Sequence, residues 1–172
     1  IDLGDLWPGS DYAKARSYFQ QALTLAYTFD DRTILARSLH RIGNWYVNDE
    51  QQVEGLGYYR EALAIYQVLN DQYGLATTFD RLGAAYLMIG DHVQAVAYLE
   101  QAASLFRELD DRRNLAFTLG LLAARSELYT IEHVVAAGSG VAESIRDGEL
   151  ALQLARDIGW RATEAYALII LG

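Results

Sequence analysis

The chain holds 172 residues with no cysteine, 23 acidic against 14 basic side chains, and a formal net charge of −9. Without cysteine there is no disulfide framework, no cysteine-based zinc site and no thiol nucleophile, and the negative charge opposes attraction to nucleic-acid phosphates and anionic lipid. No run approaches the roughly 18 apolar residues of a membrane span, and the opening IDLGDLWPGS has neither a basic start nor an apolar stretch, so no membrane span or signal peptide is expected and a cytoplasmic location is.

Residues 1–10 read as the tail of a truncated repeat, because Leu3, Gly4 and Trp7 echo the spacing of Leu82, Gly83 and Tyr86 ahead of a turn at Pro8-Gly9-Ser10. From residue 11 the chain repeats itself. Residues 11–50, 51–90 and 91–130 align without a gap at a 40-residue period. Identical columns are Tyr18, Tyr58 and Tyr98; Ala22, Ala62 and Ala102; Asp31, Asp71 and Asp111; Leu35, Leu75 and Leu115; Ala36, Ala76 and Ala116. A fixed period of this length marks a stacked array whose units cannot bury their apolar faces alone.

Within each unit the apolar period is helical: Leu56, Tyr59, Leu63 and Tyr66 share one face, and so do Leu75, Phe79, Leu82 and Tyr86. Each unit is therefore a helix pair, with helices expected near 11–29, 32–48, 51–69, 72–89, 92–109, 112–130, 142–158 and 160–172. Asp31, Asp71 and Asp111 stand where a helix N-terminus needs an acceptor. The columns of Ala22, Ala62 and Ala102, and of Gly43, Gly83 and Ala123, predict close helix contact, since Gly inside a helix costs about 1 kcal/mol relative to Ala and needs a steric reason. Aromatic rings of Phe19, Tyr46, Tyr59 and Tyr86 are expected to fill the space beside them.

The fourth unit is irregular. From Ala102 to Ala151 is 49 residues where 40 is expected, so nine extra lie between Tyr129 and Gly148, and AAGSGVAES, with Gly138-Ser139-Gly140, reads as a connecting loop. Ala151-Leu152 and Leu171-Gly172 correspond to Ala62-Leu63 and Leu82-Gly83, so the chain stops inside a helix and both ends are expected to continue in a longer protein. The whole is one expected solenoid of residues 1–172, with units near 1–30 (partial), 31–70, 71–110, 111–158 with an insertion at 130–147, and 159–172 (truncated).

Ile42-Gly43, Tyr46, Gly55, Tyr59 and Ala62, then Leu82-Gly83, Tyr86, Ala95, Leu99 and Ala102, resemble the motif of the tetratricopeptide repeat family. The sequence departs from it in its 40-residue period in place of 34 and in lacking the proline after the second helix. The longer period is similar to the subclass found in spindle-orientation adaptors, kinesin light chains and sensor arms of large bacterial ATPase-type transcription activators. The resemblance implies an all-α solenoid of stacked antiparallel helix pairs, wound as a right-handed superhelix, whose first helices line a concave groove.

Nothing points to catalysis. His40, His92 and His133 lack the spacing that puts two metal ligands on one helix face, Asp30-Asp31 and Asp110-Asp111 fall at turns where capping explains them, and no nucleophile has a base nearby. No metal or cofactor is expected. A groove-lining stripe can be read instead. Opposite Leu35, Leu39, Ile42 and Tyr46, the helix at 32–48 carries Arg37, Arg41, Asn44 and Asn48, with His40 beside them. That stripe is either a solvated face or a polar clamp for an acidic or carboxylate-bearing segment, because Arg offers a bidentate fork and Asn pairs with peptide amides.

One repeat on, the stripe becomes Thr77, Arg81, Ala84 and Met88, with Asp80 in the column of His40; the next is Phe117, Leu121, Ala124 and Leu128. That third helix is apolar on both faces, so something is expected to cover it. The candidates are the insertion 131–147, the end carrying Tyr166, Ile169 and Ile170, or a second copy, and the next repeat together with homo-oligomerisation is the expectation. The function expected is a non-catalytic module holding a protein or peptide segment, acidic with an apolar part. The second reading is a sensor and oligomerisation arm of a larger bacterial ATPase-type regulator.

Overall fold

The computed structural model describes residues 9–29, 31–124 and 137–172. Among them are the helices α1 (Gly9–Thr28), α2 (Arg32–Asn48), α3 (Gln52–Leu69), α4 (Gln72–Met88), α5 (His92–Glu108), α6 (Arg112–Ala123), α7 (Ala137–Asp157) and α8 (Arg161–Leu171), and no strand. The chain divides into two compact units, Ile1–Arg81 and Leu82–Gly172, the division falling within α4. In the first, α1 packs on α2 and α2 on α3; in the second, α5 packs on α6, α6 on α7 and α7 on α8.

The turns explain why α2 to α5 are cut to nearly equal length, 17 or 18 residues each. Glu50, Asn70 and Asp110 adopt φ of 59°, 51° and 53°, and Gly90 takes 81°, each just past a helix end. This left-handed step lets the next amide fold back: Gln51 N donates to the carbonyl of Tyr46 at 2.9 Å, Asp71 N to Tyr66 at 3.1 Å, Asp91 N to Tyr86 at 3.0 Å and Asp111 N to Phe106 at 2.9 Å. The turn thus recurs every 20 residues behind an aromatic side chain, a half-period present in the sequence beneath the 40-residue one. Three of the four amide donors are aspartates that then cap the next helix. Asp71 Oδ1 accepts from Gly74 N at 2.9 Å, Asp91 Oδ1 from Gln94 N at 3.1 Å and Asp111 Oδ1 from Asn114 N at 3.1 Å; Asp31 Oδ1 does the same for Thr33 N (2.8 Å) and Ile34 N (3.1 Å).

In the first unit, Leu39, Ile42 and Tyr46 of α2 form one core with Ala62 and Tyr66 of α3 and Leu23 of α1. Burying each large side chain is worth about 1.5–3 kcal/mol. The small residues set the helix spacing: a Cβ at Gly43 would lie 2.8 Å from the Tyr59 ring and 3.2 Å from the Gly55 carbonyl. Tyr46 stacks on Tyr58 at 5.2 Å between centroids. The second unit repeats the joint. A Cβ at Gly83 would meet Leu99 at 2.5 Å and the Ala95 carbonyl at 3.1 Å, and Tyr86 stacks on Tyr98 at 5.6 Å. Further along, Ser144 of α7 donates its hydroxyl to the Ala123 carbonyl, and a Cβ at Gly148 would reach Leu171 at 2.9 Å.

Three sequence expectations change. Gly138-Ser139-Gly140 lies in the first turn of α7, not in a loop; the cost of glycine there is carried by the buried face of Ser144, Gly148, Ala151 and Ala155 that follows it. Gly9 and Ser10 open α1 where a turn was expected. Ala22 is exposed, whereas Ala62 and Ala102 are fully buried. The same residue type in the same column meets a partner helix on α3 and α5, while α1 turns that column to solvent and packs through Leu23 and Ala26. The expectations on Leu3, Gly4, Trp7 and Pro8, and on Leu128 and Tyr129, lie outside the described residues.

Candidate binding faces

The 3.6-residue period that buries Leu39, Ile42 and Tyr46 brings the polar residues of α2 to its other side. Arg37, Arg41 and Asn48 are exposed there. His40 and Asn44 are half-buried and engaged in the fold: Tyr59 donates its hydroxyl to Asn44 Oδ1 at 2.6 Å, and His40 Nδ1 lies 3.1 Å from the hydroxyl of Thr78 on α4. The His40 ring also leans on Tyr59, with centroids 5.5 Å apart and planes at 57°. Burial, then the positive charges of Arg81 and Arg41, lowers the His40 pKa to about 4. The imidazole is therefore neutral at pH 7, and burial likewise raises the Tyr59 phenol.

On α4, Asp80 is buried at 4% exposure, with an oxygen 3.8 Å from Nε of the exposed Arg81. Thr77 is half-buried and donates to the carbonyl of Tyr73 at 2.9 Å. The first unit thus brings both Arg41 and Arg81 close enough to His40 for their charges to act on it, with Arg37 one helical turn before Arg41. Three guanidinium groups on neighbouring helices make a basic spot on a chain of net charge −9. Among the stripe residues read from the sequence, His40, Asn44 and Asp80 serve the joint between helices more than they face solvent.

The second unit holds the rest. Ala84 is half-buried and Met88 exposed on α4, and Phe117, Leu121 and Ala124 are half-buried along α6 and its end. Phe117 has a partner in Trp160, just ahead of α8, at 6.3 Å between centroids, and Arg113 places its guanidinium 4.8 Å from the centre of the same indole. Tyr166 of α8 lies over Gly120, where a Cβ would sit 3.2 Å from its ring. Ile170 is half-buried and Ile169 exposed.

Sequence reading missed one feature of this unit. A cleft of about 310 Å³ opens between α5, α6 and α7, floored by Leu119 and Leu122 and rimmed by Arg107, Glu143 and Arg146. The irregular spacing before Gly148 was the signal, since it moves α7 off the 40-residue register.

Comparison with known proteins agrees with this architecture. Residues 49–108 match the tetratricopeptide repeat family. No curated protein matches the chain by sequence. The crystal structure of BtubC (BKLC) from P. vanneervenii is similar to it with a TM-score of 0.63 and 18% identity, over 93% of this chain and 73% of that one. At that identity the likeness concerns the fold alone. Among the described residues no helix is long and apolar enough to cross a membrane.

Proposed function

We propose, for a chain that carries tetratricopeptide repeats, that it is a non-catalytic module binding an acidic protein segment through the face shared by α2 and α4 in its first unit. Tetratricopeptide repeats are protein-interaction modules, and the acidic preference is argued from this chain's own charges. The observation that carries the reading is the exposure of Arg37, Arg41 and Arg81 above a floor already locked by His40, Thr78, Asn44 and Tyr59. A rigid floor fixes where the guanidinium forks stand, so a carboxylate meets pre-placed donors.

The test is fluorescence anisotropy with labelled acidic peptides, each carrying an aromatic or leucine, and a lysine-containing control set. Acidic peptides are expected to bind, more weakly as salt rises, and Arg41→Glu is expected to lower their affinity about tenfold, the scale of one lost charge-assisted contact. Affinity unchanged by Arg41→Glu and by Arg37→Glu removes this face from the reading.

A further inference from the structure

The floor of the arginine face holds a hydrogen-bond donor whose direction the fold itself fixes. Thr78 of α4 is fully buried, and among the described residues its hydroxyl meets one hydrogen-bond partner, Nδ1 of His40 on α2, at 3.1 Å. A buried hydroxyl proton left without an acceptor is costly, so the arrangement that satisfies both groups has Thr78 donating and Nδ1 accepting. The proton of the neutral ring is thereby assigned to Nε2. That nitrogen makes no hydrogen bond among the described residues and keeps contact with solvent, so its N–H is open to an incoming group.

Three helices hold the ring. Tyr59 of α3 packs against it at 5.5 Å between centroids, Thr78 of α4 takes Nδ1, and the charges of Arg41 on α2 and Arg81 on α4 reach it. Burial together with those charges keeps the imidazole neutral at pH 7, so it offers a directed N–H and no third charge. We infer that His40 is a specificity-determining residue of this face, its Nε2–H donating to an oxygen of the acidic segment that Arg41 and Arg81 attract. The inference rests on the reading of the arginine face as a site for such a segment, and it adds what the arginines lack. Exposed guanidinium groups draw any anion, whereas a donor on a ring fixed at Nδ1 accepts an oxygen from one direction. A carboxylate or a backbone carbonyl satisfies it, and an N–H group placed there does not.

The experiment pairs nitrogen-15 spectra of the His40 ring, assigned from its backbone and recorded free and with the tightest-binding acidic peptide, with anisotropy on His40→Gln and His40→Asn. The free chain is expected to show Nε2 protonated and Nδ1 not, and the peptide to move the Nε2 signal more than that of Nδ1. Gln carries its amide nitrogen to about the position of Nε2, while Asn carries its own to that of Nδ1. His40→Gln is therefore expected to bind about tenfold more tightly than His40→Asn, the scale of one hydrogen bond to a charged acceptor. Thermal melts confirm that both variants fold, and the wild-type spectra decide alone if either does not. A ring protonated on Nδ1, an Nε2 signal unmoved by bound peptide, or equal affinity of the two folded variants overturns the inference. With Arg41→Glu still weakening the peptide, any of these leaves the arginine face in place; acidic peptides that do not bind the wild type overturn both.

Discussion

Helices α1 and α3 are 40 residues apart in the same register and carry the same tyrosine and alanine, yet Ala62 is fully buried and Ala22 is exposed. The residue type marks where a joint is made, and the neighbouring helix decides whether it is closed. On α3 the alanine gives α2 room to approach, with Gly43 beneath the Tyr59 ring and Tyr46 stacked on Tyr58. On α1 the same column faces water. Repeat identity in a solenoid is therefore a statement about interfaces, and the stability carried by a column depends on its place in the array.

Overpacking separates the two helices most strongly. Ala62→Leu adds three carbons where there is no space and is expected to cost about 3 kcal/mol, the upper part of the overpacking range, while Ala22→Leu is expected to shift stability by less than about 0.5 kcal/mol. Urea unfolding of both variants checks this, and equal effects would dissolve the distinction.

A second difference is electrostatic. His40 seals the joint between α2 and α4 in its neutral form, with a folded pKa of about 4 against the ordinary 6.5. The unfolded chain therefore binds the extra proton between these values. Its contribution is intact above pH 6.5, erodes as pH falls towards 4 and saturates below, a loss on the order of 3 kcal/mol. The stability profile of His40→Gln is expected to be flatter than wild type across that window, and parallel profiles would show that His40 carries no such linkage.

Within α3 itself the smallest effect sharpens the comparison by sign. A Cβ at Gly55 would meet Val47 at 2.5 Å and the Gly43 carbonyl at 2.9 Å, whereas one at Gly57 meets nothing within 4 Å. Gly55→Ala is expected to destabilise, and Gly57→Ala to stabilise by up to about 1 kcal/mol through the helix propensity of alanine alone. Thermal melts that move in the same direction would contradict the assigned helix faces.

Helix limits were legible because turn chemistry is local: Asp31, Asp71 and Asp111 cap α2, α4 and α6 as their positions predict. The start of α7 was not, since Gly138-Ser139-Gly140 has the composition of a loop and its helicity rests on the packed segment after it. The exposure of Ala22 was hidden for the same reason, being a property of its surroundings. At the candidate face, period alone placed Arg37, Arg41, His40 and Asn44 on one polar stripe. It could not show that Thr78 and Tyr59 take up His40 and Asn44, because those bonds join residues from separate helices. The aromatic half-period at Tyr46, Tyr66, Tyr86 and Phe106 was present but concealed by the longer repeat.

Hydrogen exchange measures the contrast between closed and open columns directly. The amides of Tyr58–Ile65 are expected to exchange at least about tenfold more slowly than those of Tyr18–Leu25, because α3 closes its Tyr58, Ala62 and Ile65 column against α2 while α1, packed through Leu23 and Ala26, leaves the equivalent column exposed. Equal protection of the two segments would contradict the account.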